Sequence, residues 1–268
     1  MTPALHVDAA TLRPHGGEPA LRDLRLRIAP GERVALLGGN GAGKTTLLRA
    51  AVGLAAVEGS VRVLGKAVRS PEDAVGAGAT LALQNPEDQI LGGTVLEDVM
   101  IGPRHAGMAL GAARARAREA LADAGIAALE DRAIERLSFG EKRRAGLAAV
   151  LAMCPRLLLL DEPTAGLDPA GEVELAAVLA RLARERGTAV IVATHAIGLV
   201  PLLADRAVVL GEGRVLADGP VAEVLADLPL LVRARLRAPG PLEAAAGCDG
   251  PRHSHAPVEV PSWNVARS

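Results

Sequence analysis

One segment of this sequence has the residue types and spacing needed to hold the phosphates of a nucleotide. Gly38 to Thr45 read GGNGAGKT, which fits the pattern G-x-x-x-x-G-K-[ST]. Glycines let consecutive backbone N–H groups converge on phosphate oxygens, and the N-terminus of a following helix adds its dipole. Lys44 would then reach the terminal phosphates, and the Thr45 hydroxyl would be a ligand of Mg²⁺. We predict a phosphate loop here; the alternative is a plain glycine-rich turn.

A second segment supplies acidic groups. Leu157 to Pro163 read LLLLDEP, an apolar strand that delivers Asp161 and Glu162 at its carboxyl end. Ligands of open α/β sheets bind at that end of the strands. We expect Asp161 to hold Mg²⁺ through water and Glu162 to polarise the attacking water. Together with the phosphate loop, this segment predicts a nucleotide hydrolase.

A third segment contains the single phenylalanine of the chain. Leu137 to Glu141 read LSFGE and precede a helix predicted at about 142–153. Ser138 and Gly140 would present a hydroxyl and exposed N–H groups at the start of that helix, which makes a second anion site. Two phosphate-binding elements about 100 residues apart in one chain suggest a split site.

The surrounding sequence predicts an α/β fold. Apolar residues make up 50% of the chain, and 30 Lys and Arg balance 31 Asp and Glu, so no strong field attracts nucleic acid. Apolar strands alternate with helices, which favours a mostly parallel sheet covered on both faces. The expected strands are 5–12, 21–28, 33–37, 60–64, 79–83, 157–160, 189–193 and 207–210, and the expected helices include 46–54, 112–124 and 172–186.

The order of the motifs resembles that of ATP-binding cassette (ABC) ATPases over residues 5–225. They run GGNGAGKTT, Gln84 in LALQNP, LSFGE, LLLLDEP, Asp168 in AGLDP and His195 in VATHA. The resemblance implies a P-loop NTPase fold with an N-terminal β subdomain, a mostly parallel core sheet and a helical subdomain at about 87–153. It also implies that ATP and Mg²⁺ are bound and that ATP is hydrolysed.

The resemblance assigns roles residue by residue. The catalytic residues would be Glu162, Gln84 and His195, the last sensing the γ-phosphate, and the Mg²⁺ ligands would be Thr45, Gln84 and Asp161. Two cassettes would bind two ATP molecules head to tail, so that the LSFGE segment of one acts on the nucleotide of the other. The nucleotide contacts would be Arg13, Gly38, Asn40, Gly41, Ala42, Gly43, Lys44, Thr45, Thr46, Ser138, Gly140, Glu141 and Asp168.

Two positions depart from the family pattern. The family usually has LSGGQ, so Phe139 replaces a glycine and Glu141 replaces a glutamine. We expect the Phe139 ring to point away from the nucleotide, toward the helical region or the partner; the alternative is a degenerate half-site that binds without hydrolysing. The family also stacks an aromatic ring on adenine, where this chain has Arg13, which either stacks on the base or is solvated.

The remaining segments define the boundaries of the cassette. Residues 1–237 are expected to form the ATPase domain, and the proline-rich 238–268 to be disordered. His253 and His255 in that tail could bind a transition metal or simply be solvated. The two cysteines, Cys154 and Cys248, belong to no metal motif, which suggests a reducing compartment. No segment is predicted to cross a bilayer.

The segment QNPEDQILGGTVLEDVMIGP resembles the ATPases of energy-coupling-factor importers, especially those for cobalt and nickel. That resemblance implies a peripheral subunit at the cytoplasmic face of the membrane, whose residues 84–105 contact a transmembrane scaffold that carries a substrate-binding protein. Cobalt or nickel is the first expectation, a vitamin the second and another transport system the third. A non-transport ABC ATPase of the DNA-repair or translation-factor type is the alternative from another class, disfavoured because the chain has no long coiled coil.

Overall fold

The computed structural model describes residues 2–14 and 17–236. The chain begins with antiparallel strands and continues with strands that alternate with helices. The strands are β1 (Leu5–Arg13), β2 (Leu21–Ile28), β3 (Arg33–Leu37), β4 (Ala56–Val63), β5 (Lys66–Ala67), β6 (Ala79–Ala82), β7 (Leu157–Asp161), β8 (Ala189–Thr194), β9 (Arg206–Gly211) and β10 (Arg214–Pro220). The helices are α1 (Lys44–Ala51), α2 (Pro71–Ala77), α3 (Val95–His105), α4 (Leu110–Asp123), α5 (Phe139–Ala152), α6 (Pro169–Arg186), α7 (Val200–Leu203), α8 (Val221–Ala226) and α9 (Leu228–Arg233).

The strands form two sheets. The smaller sheet is antiparallel and has the order β2-β1-β4-β5. The larger sheet has the order β10-β9-β3-β8-β7-β6, in which only β10 is antiparallel to its neighbour. The expected α/β fold with a mostly parallel core sheet is therefore confirmed.

The register of the core sheet brings three strand ends together. Leu37 at the end of β3 lies beside Thr194 at the end of β8, and Asp161 at the end of β7 lies beside Ala193. Every residue of β7 and β8 is buried, as expected for parallel strands covered on both faces. The segments that follow these strands must therefore meet at one edge of the sheet.

Helices α3, α4 and α5 pack against one another around a shared apolar core that includes Val99, Leu121 and Leu151. Helix α5 begins at Phe139, three residues before the predicted start at 142, so the prediction was wrong at this end. The cause is a capping box: Ser138 Oγ accepts a hydrogen bond from the Glu141 N–H at 3.3 Å, and the Glu141 carboxylate accepts one from the Ser138 N–H at 2.7 Å.

Several elements were not predicted from the sequence. Strand β10 and helices α2, α8 and α9 are all short or partly exposed, so their hydrophobic periodicity is weak. Helix α2 nevertheless has a readable start, because Ser70 and Asp73 form a capping box around Pro71. The segment 238–268, with the predictions of disorder and of a metal site at His253 and His255, lies outside the described residues. Within the described part of the chain, no helix is both long and apolar enough to span a membrane.

Candidate nucleotide-binding site

A cavity of about 340 Å³ lies at the carboxyl ends of β3, β7 and β8. It contains most of the residues predicted to bind or hydrolyse a nucleotide, although these are far apart in the sequence. The lining residues are Pro14, Ala20, Asn40, Gly41, Ala42, Gly43, Lys44, Thr45, Thr46, Gln84, Asp161, Glu162 and His195.

The phosphate loop connects β3 to α1 and requires glycine at its end. Gly43 has a φ of 97° and precedes the first residue of α1. A Cβ atom at this position would lie 2.8 Å from the side chain of Leu21, so a larger residue would be both strained and in collision. Glycine here lets the backbone turn into the helix while α1 directs its N-terminus toward the cavity.

Lys44 supplies the positive charge of the cavity. Its ammonium group is buried and donates hydrogen bonds to the carbonyl oxygens of Gly38 at 2.6 Å and of Gly39 at 3.2 Å. Burial lowers the pKa of Lys44, while the carboxylates of Glu162 and Asp161 act in the opposite direction. A buried ammonium held by two backbone carbonyls is suited to exchange one of these partners for an anionic ligand.

Thr45 and Asp161 form the part of the site that fits a magnesium ion. The Thr45 hydroxyl donates to Asp161 Oδ2 at 2.8 Å, and Gln84 lines the same cavity. Burial raises the pKa of Asp161, whereas the hydrogen bond from Thr45 lowers it. A hydroxyl and a carboxylate oxygen suit Mg²⁺, which binds through few protein ligands together with phosphates and water.

Glu162 is held from two sides by groups at the end of β8. Thr194 Oγ1 donates to Glu162 Oε2 at 3.0 Å, and His195 Nδ1 lies 2.7 Å from Glu162 Oε1. The carboxylate residue is 7% exposed. Thr194 was not among the predicted site residues, although a hydroxyl residue at the end of the apolar strand AVIVAT, next to His195, is a readable signal.

The LSFGE segment and Asp168 do not line the cavity of their own chain. Asp168 accepts a hydrogen bond from the Gly171 N–H at 2.8 Å and so caps α6. Glu141 caps α5 and pairs with Arg132 at 3.2 Å. Ser138 uses its oxygen as an acceptor within the cap, so its hydroxyl proton is free to be donated to another group.

The adenine-stacking prediction for Arg13 is not supported by the geometry. Its guanidinium group binds Glu58, with Nε 3.1 Å from Oε1, and Arg13 is absent from the cavity wall. The sequence positions nearest to it in the wall are Pro14 and Ala20. An ion pair across the strands β1 and β4 therefore engages the side chain for which stacking on the base and solvation were the two alternatives.

The Phe139 ring lies against its own chain. Gly166 lies two residues before Asp168. A Cβ atom on Gly166 would be 2.8 Å from the Phe139 ring, so a glycine is needed at this position for the ring to pack there. The Arg143 guanidinium lies 5.4 Å from the ring centroid, within the range of a cation–π contact. Phe139 is still 48% exposed, so one face remains available to other groups.

Thr194→Val tests whether the hydroxyl of Thr194 orients Glu162. Valine keeps the volume but leaves a buried carboxylate oxygen without its donor, which costs about 1–3 kcal/mol. If this loss falls on the hydrolytic step, we expect the kcat for ATP to fall about tenfold. ATP affinity should stay within threefold, because Thr194 does not line the cavity. Thr194→Ser retains the hydroxyl and should keep most of the activity; equal rates for the valine and serine variants would contradict the assignment.

Comparison with known proteins agrees with this arrangement. A family model described as "ABC transporter" matches residues 21–165. The cobalt import ATP-binding protein CbiO of Rhodobacter capsulatus is 44% identical over 243 residues, which cover 89% of this chain and 86% of the relative. The nickel import ATP-binding protein NikO of the same species is 42% identical over 246 residues, which cover 88% of this chain and 96% of the relative.

Two further comparisons extend the match. The energy-coupling factor transporter ATP-binding protein EcfA of Methanocaldococcus jannaschii is 38% identical over 227 residues, covering 83% of this chain and 81% of the relative. The solved structure of CbiO1 from Clostridium perfringens, described as part of the ABC transporter complex cbiONQ, has a TM-score of 0.76 and 35% identity, covering 89% of this chain and 97% of that one. With the phosphate loop, Asp161 and Glu162 inside the matched segment and lining one cavity, this chain belongs to the ABC transporter family of ATP-binding proteins.

Proposed function

We propose that this chain is the ATP-hydrolysing motor subunit of an energy-coupling-factor type importer, with cobalt or nickel ions as the transported substrate. The observation that carries the proposal is the placement of Glu162, fixed by Thr194 and His195, in the same cavity as Lys44 and the phosphate loop. The relatives named for cobalt import, nickel import and energy coupling support the transport role.

Each side chain of the cavity has its own role in the proposed hydrolysis of ATP. The phosphate loop and Lys44 bind the phosphates of ATP, and Lys44 offsets their negative charge. Thr45 and Asp161 would hold a Mg²⁺ ion, which supplies further neutralisation of phosphate charge when bound. Glu162 orients and polarises the attacking water, while His195 holds the Glu162 carboxylate and senses the γ-phosphate. Gln84, which lines the same cavity, would contact the ion and the water.

The site needs a second cassette, either another copy of this chain or a related one. The cavity has a phosphate loop on one side but lacks Ser138 and Gly140, which form the second anion-binding element. Those residues start α5 at another part of the same chain. A head-to-tail dimer would bring Ser138, Gly140 and Glu141 of one cassette onto the ATP of the other, with Asp168 near the shared boundary. The proposed ATPase domain is 1–237, with a helical subdomain within about 87–153.

A second cavity, a groove of about 330 Å³ lined by Leu54, Val75 and Leu91 among others, is the proposed docking groove for the membrane partner. Leu91 is 77% exposed in this groove, and its neighbours Leu54 and Val75 are also exposed. The loop is nevertheless well fixed, because the buried Asp98 accepts hydrogen bonds from the N–H groups of Leu91 at 2.7 Å and Gly92 at 2.8 Å. An exposed apolar side chain on a backbone that is held by hydrogen bonds is typical of a docking site. We assign the groove, which includes Gln89, Leu91 and Ile101 of the predicted contact 84–105, to a helix of a transmembrane scaffold, and we propose that the chain works at the cytoplasmic face of the membrane.

ATP-driven uptake tests the proposal directly. We expect vesicles that contain the chain and its co-purifying membrane subunits to accumulate radioactive Co²⁺ or Ni²⁺ when ATP is present. Glu162→Gln should bind ATP and form a stable ATP-bound dimer but support no uptake, whereas Lys44→Ala should bind ATP poorly. Uptake of a vitamin without either metal would favour the second substrate class. ATP hydrolysis with no associated membrane protein and no uptake would favour a non-transport ABC ATPase.

Leu91→Asp tests the docking groove. A carboxylate on the apolar contact must be desolvated when the scaffold helix binds, so we expect the yield of membrane subunits that co-purify with the chain to fall at least tenfold. ATP turnover of the isolated chain should remain within twofold of wild type. Leu110→Asp is the matched control, because Leu110 is 58% exposed at the start of α4 and does not line the groove. Unchanged co-purification of the Leu91→Asp chain would overturn the assignment.

A further inference from the structure

Arg143 lies on α5, four residues after Phe139, and connects three parts of the molecule. Its Nη1 donates to the carbonyl oxygen of Glu162, and its Nη2 donates to the carbonyl oxygen of Gln84 at 2.7 Å. The Phe139 ring lies 5.4 Å from the guanidinium carbon. The Arg143 side chain thus connects α5 to Glu162. It also connects α5 to the Gln84 segment, which leads to the docking groove.

The guanidinium of Arg143 lies in a partly buried environment in which its hydrogen bonds go to two particular backbone carbonyls. Arg143 is partly buried, and its Nε atom has no hydrogen-bond partner within the described residues. Burial lowers the pKa of Arg143, while the charge of Glu162 acts in the opposite direction. The two carbonyl oxygens therefore provide the hydrogen bonds that make this position tolerable for an arginine.

Glu162 has a backbone conformation that needs support. Its φ of 48° lies in the left-handed region, which is unfavourable for a residue other than glycine. Its N–H donates to the Ala193 carbonyl at 2.8 Å, and its own carbonyl accepts from Arg143 and also from the Ala165 N–H at 3.2 Å. These hydrogen bonds hold the peptide groups on both sides of the Cα atom, and Arg143 supplies the one that comes from α5. The direction of the carboxylate toward Thr194 and His195 depends on that backbone conformation.

Arg144, the next residue on α5, shows that an arginine in this part of the helix does not automatically contact Glu162 and Gln84. Arg144 points to a different partner and pairs with Glu174 on α6 at 2.7 Å. Only Arg143 reaches both Glu162 and Gln84 among the described arginines. The Phe139 ring covers the guanidinium from the N-terminal side of the helix, at the spacing of one helical turn.

We propose that Arg143 is a positioning residue that couples α5 and the Gln84 segment to the carboxylate of Glu162, with the Phe139 ring holding its guanidinium in place. A shift of α5 relative to the core sheet would then pull on the Glu162 peptide and alter hydrolysis without changing the phosphate loop. The phenylalanine in LSFGE accordingly has a role as a support for Arg143. This inference rests on the proposed ATP hydrolysis.

Steady-state turnover of the full-length chain tests the role of Arg143. We expect Arg143→Ala to lower the kcat for ATP about tenfold, with the KM and the equilibrium affinity for ATP within threefold and the melting temperature within a few degrees. Arg143→Lys should not restore the rate, because a single ammonium lacks the planar fork that donates to two carbonyls and stacks on a ring. Arg116→Ala, which breaks an exposed ion pair with Glu119 on α4, is the matched control and should leave turnover unchanged.

Double variants separate positioning from a general structural effect. If Arg143 and Thr194 act through the same carboxylate, Arg143→Ala combined with Thr194→Val should lower kcat much less than the product of the two single effects. Phe139→Leu should lower kcat two- to fivefold in the wild-type chain but have no effect when Arg143 is already alanine. Independent effects that multiply in both pairs would overturn the proposal.

The outcomes also distinguish this inference from the proposed function. Lack of ATP turnover by the wild-type chain at any concentration, with or without membrane partners, would refute the proposed function. Normal wild-type turnover with an Arg143→Ala rate within twofold would refute the inference alone. A parallel loss of turnover, ATP affinity and melting temperature in both Arg143→Ala and Arg143→Lys would show a purely structural role and would likewise overturn it.

Discussion

The register of three parallel strands is the constraint on which the site depends. With β8 between β3 and β7, the residues that follow each strand are forced to the same edge of the sheet. The phosphate loop follows β3, and Glu162 follows β7. Thr194 is the last residue of β8, and His195 comes directly after it. A shift of one residue in either pairing would turn the side chains of that strand to the opposite face and separate the carboxylate from its partners.

This geometry concentrates charged groups in one cavity. Among the described residues, Lys44 donates hydrogen bonds to backbone carbonyls, and Asp161 accepts one from the Thr45 hydroxyl. Burial disfavours the charged form of Lys44 and of Asp161, and the attraction between them acts in the opposite direction. Nucleotide phosphates and Mg²⁺ would supply further opposite charges, so the loaded site is better balanced electrostatically than the empty one. The same reasoning explains why a second anion-binding element, from another cassette, can be brought in by the nucleotide.

Much of the site could be predicted from the sequence because each motif is local. The phosphate loop, the carboxylates after LLLL and His195 after a buried strand combine a short pattern with an obvious neighbouring element. The contacts of Arg13, Thr194 and Arg143 could not be predicted in this way, because each depends on a partner between 19 and 59 residues away in the sequence. The ion pair of Arg13 is an example, since the pairing of β1 with β4 supplies Glu58 as its partner.

The split site is the central claim, and ATP turnover per chain as a function of chain concentration measures it most directly. The account predicts that turnover per chain rises as the wild-type chain is concentrated, because two half-sites must meet. A Ser138→Ala chain should bind ATP as tightly as wild type when it is dilute enough to be monomeric, and yet show little turnover when it is concentrated. Turnover per chain that does not change on dilution, with the Ser138→Ala chain as active as wild type, would contradict the account.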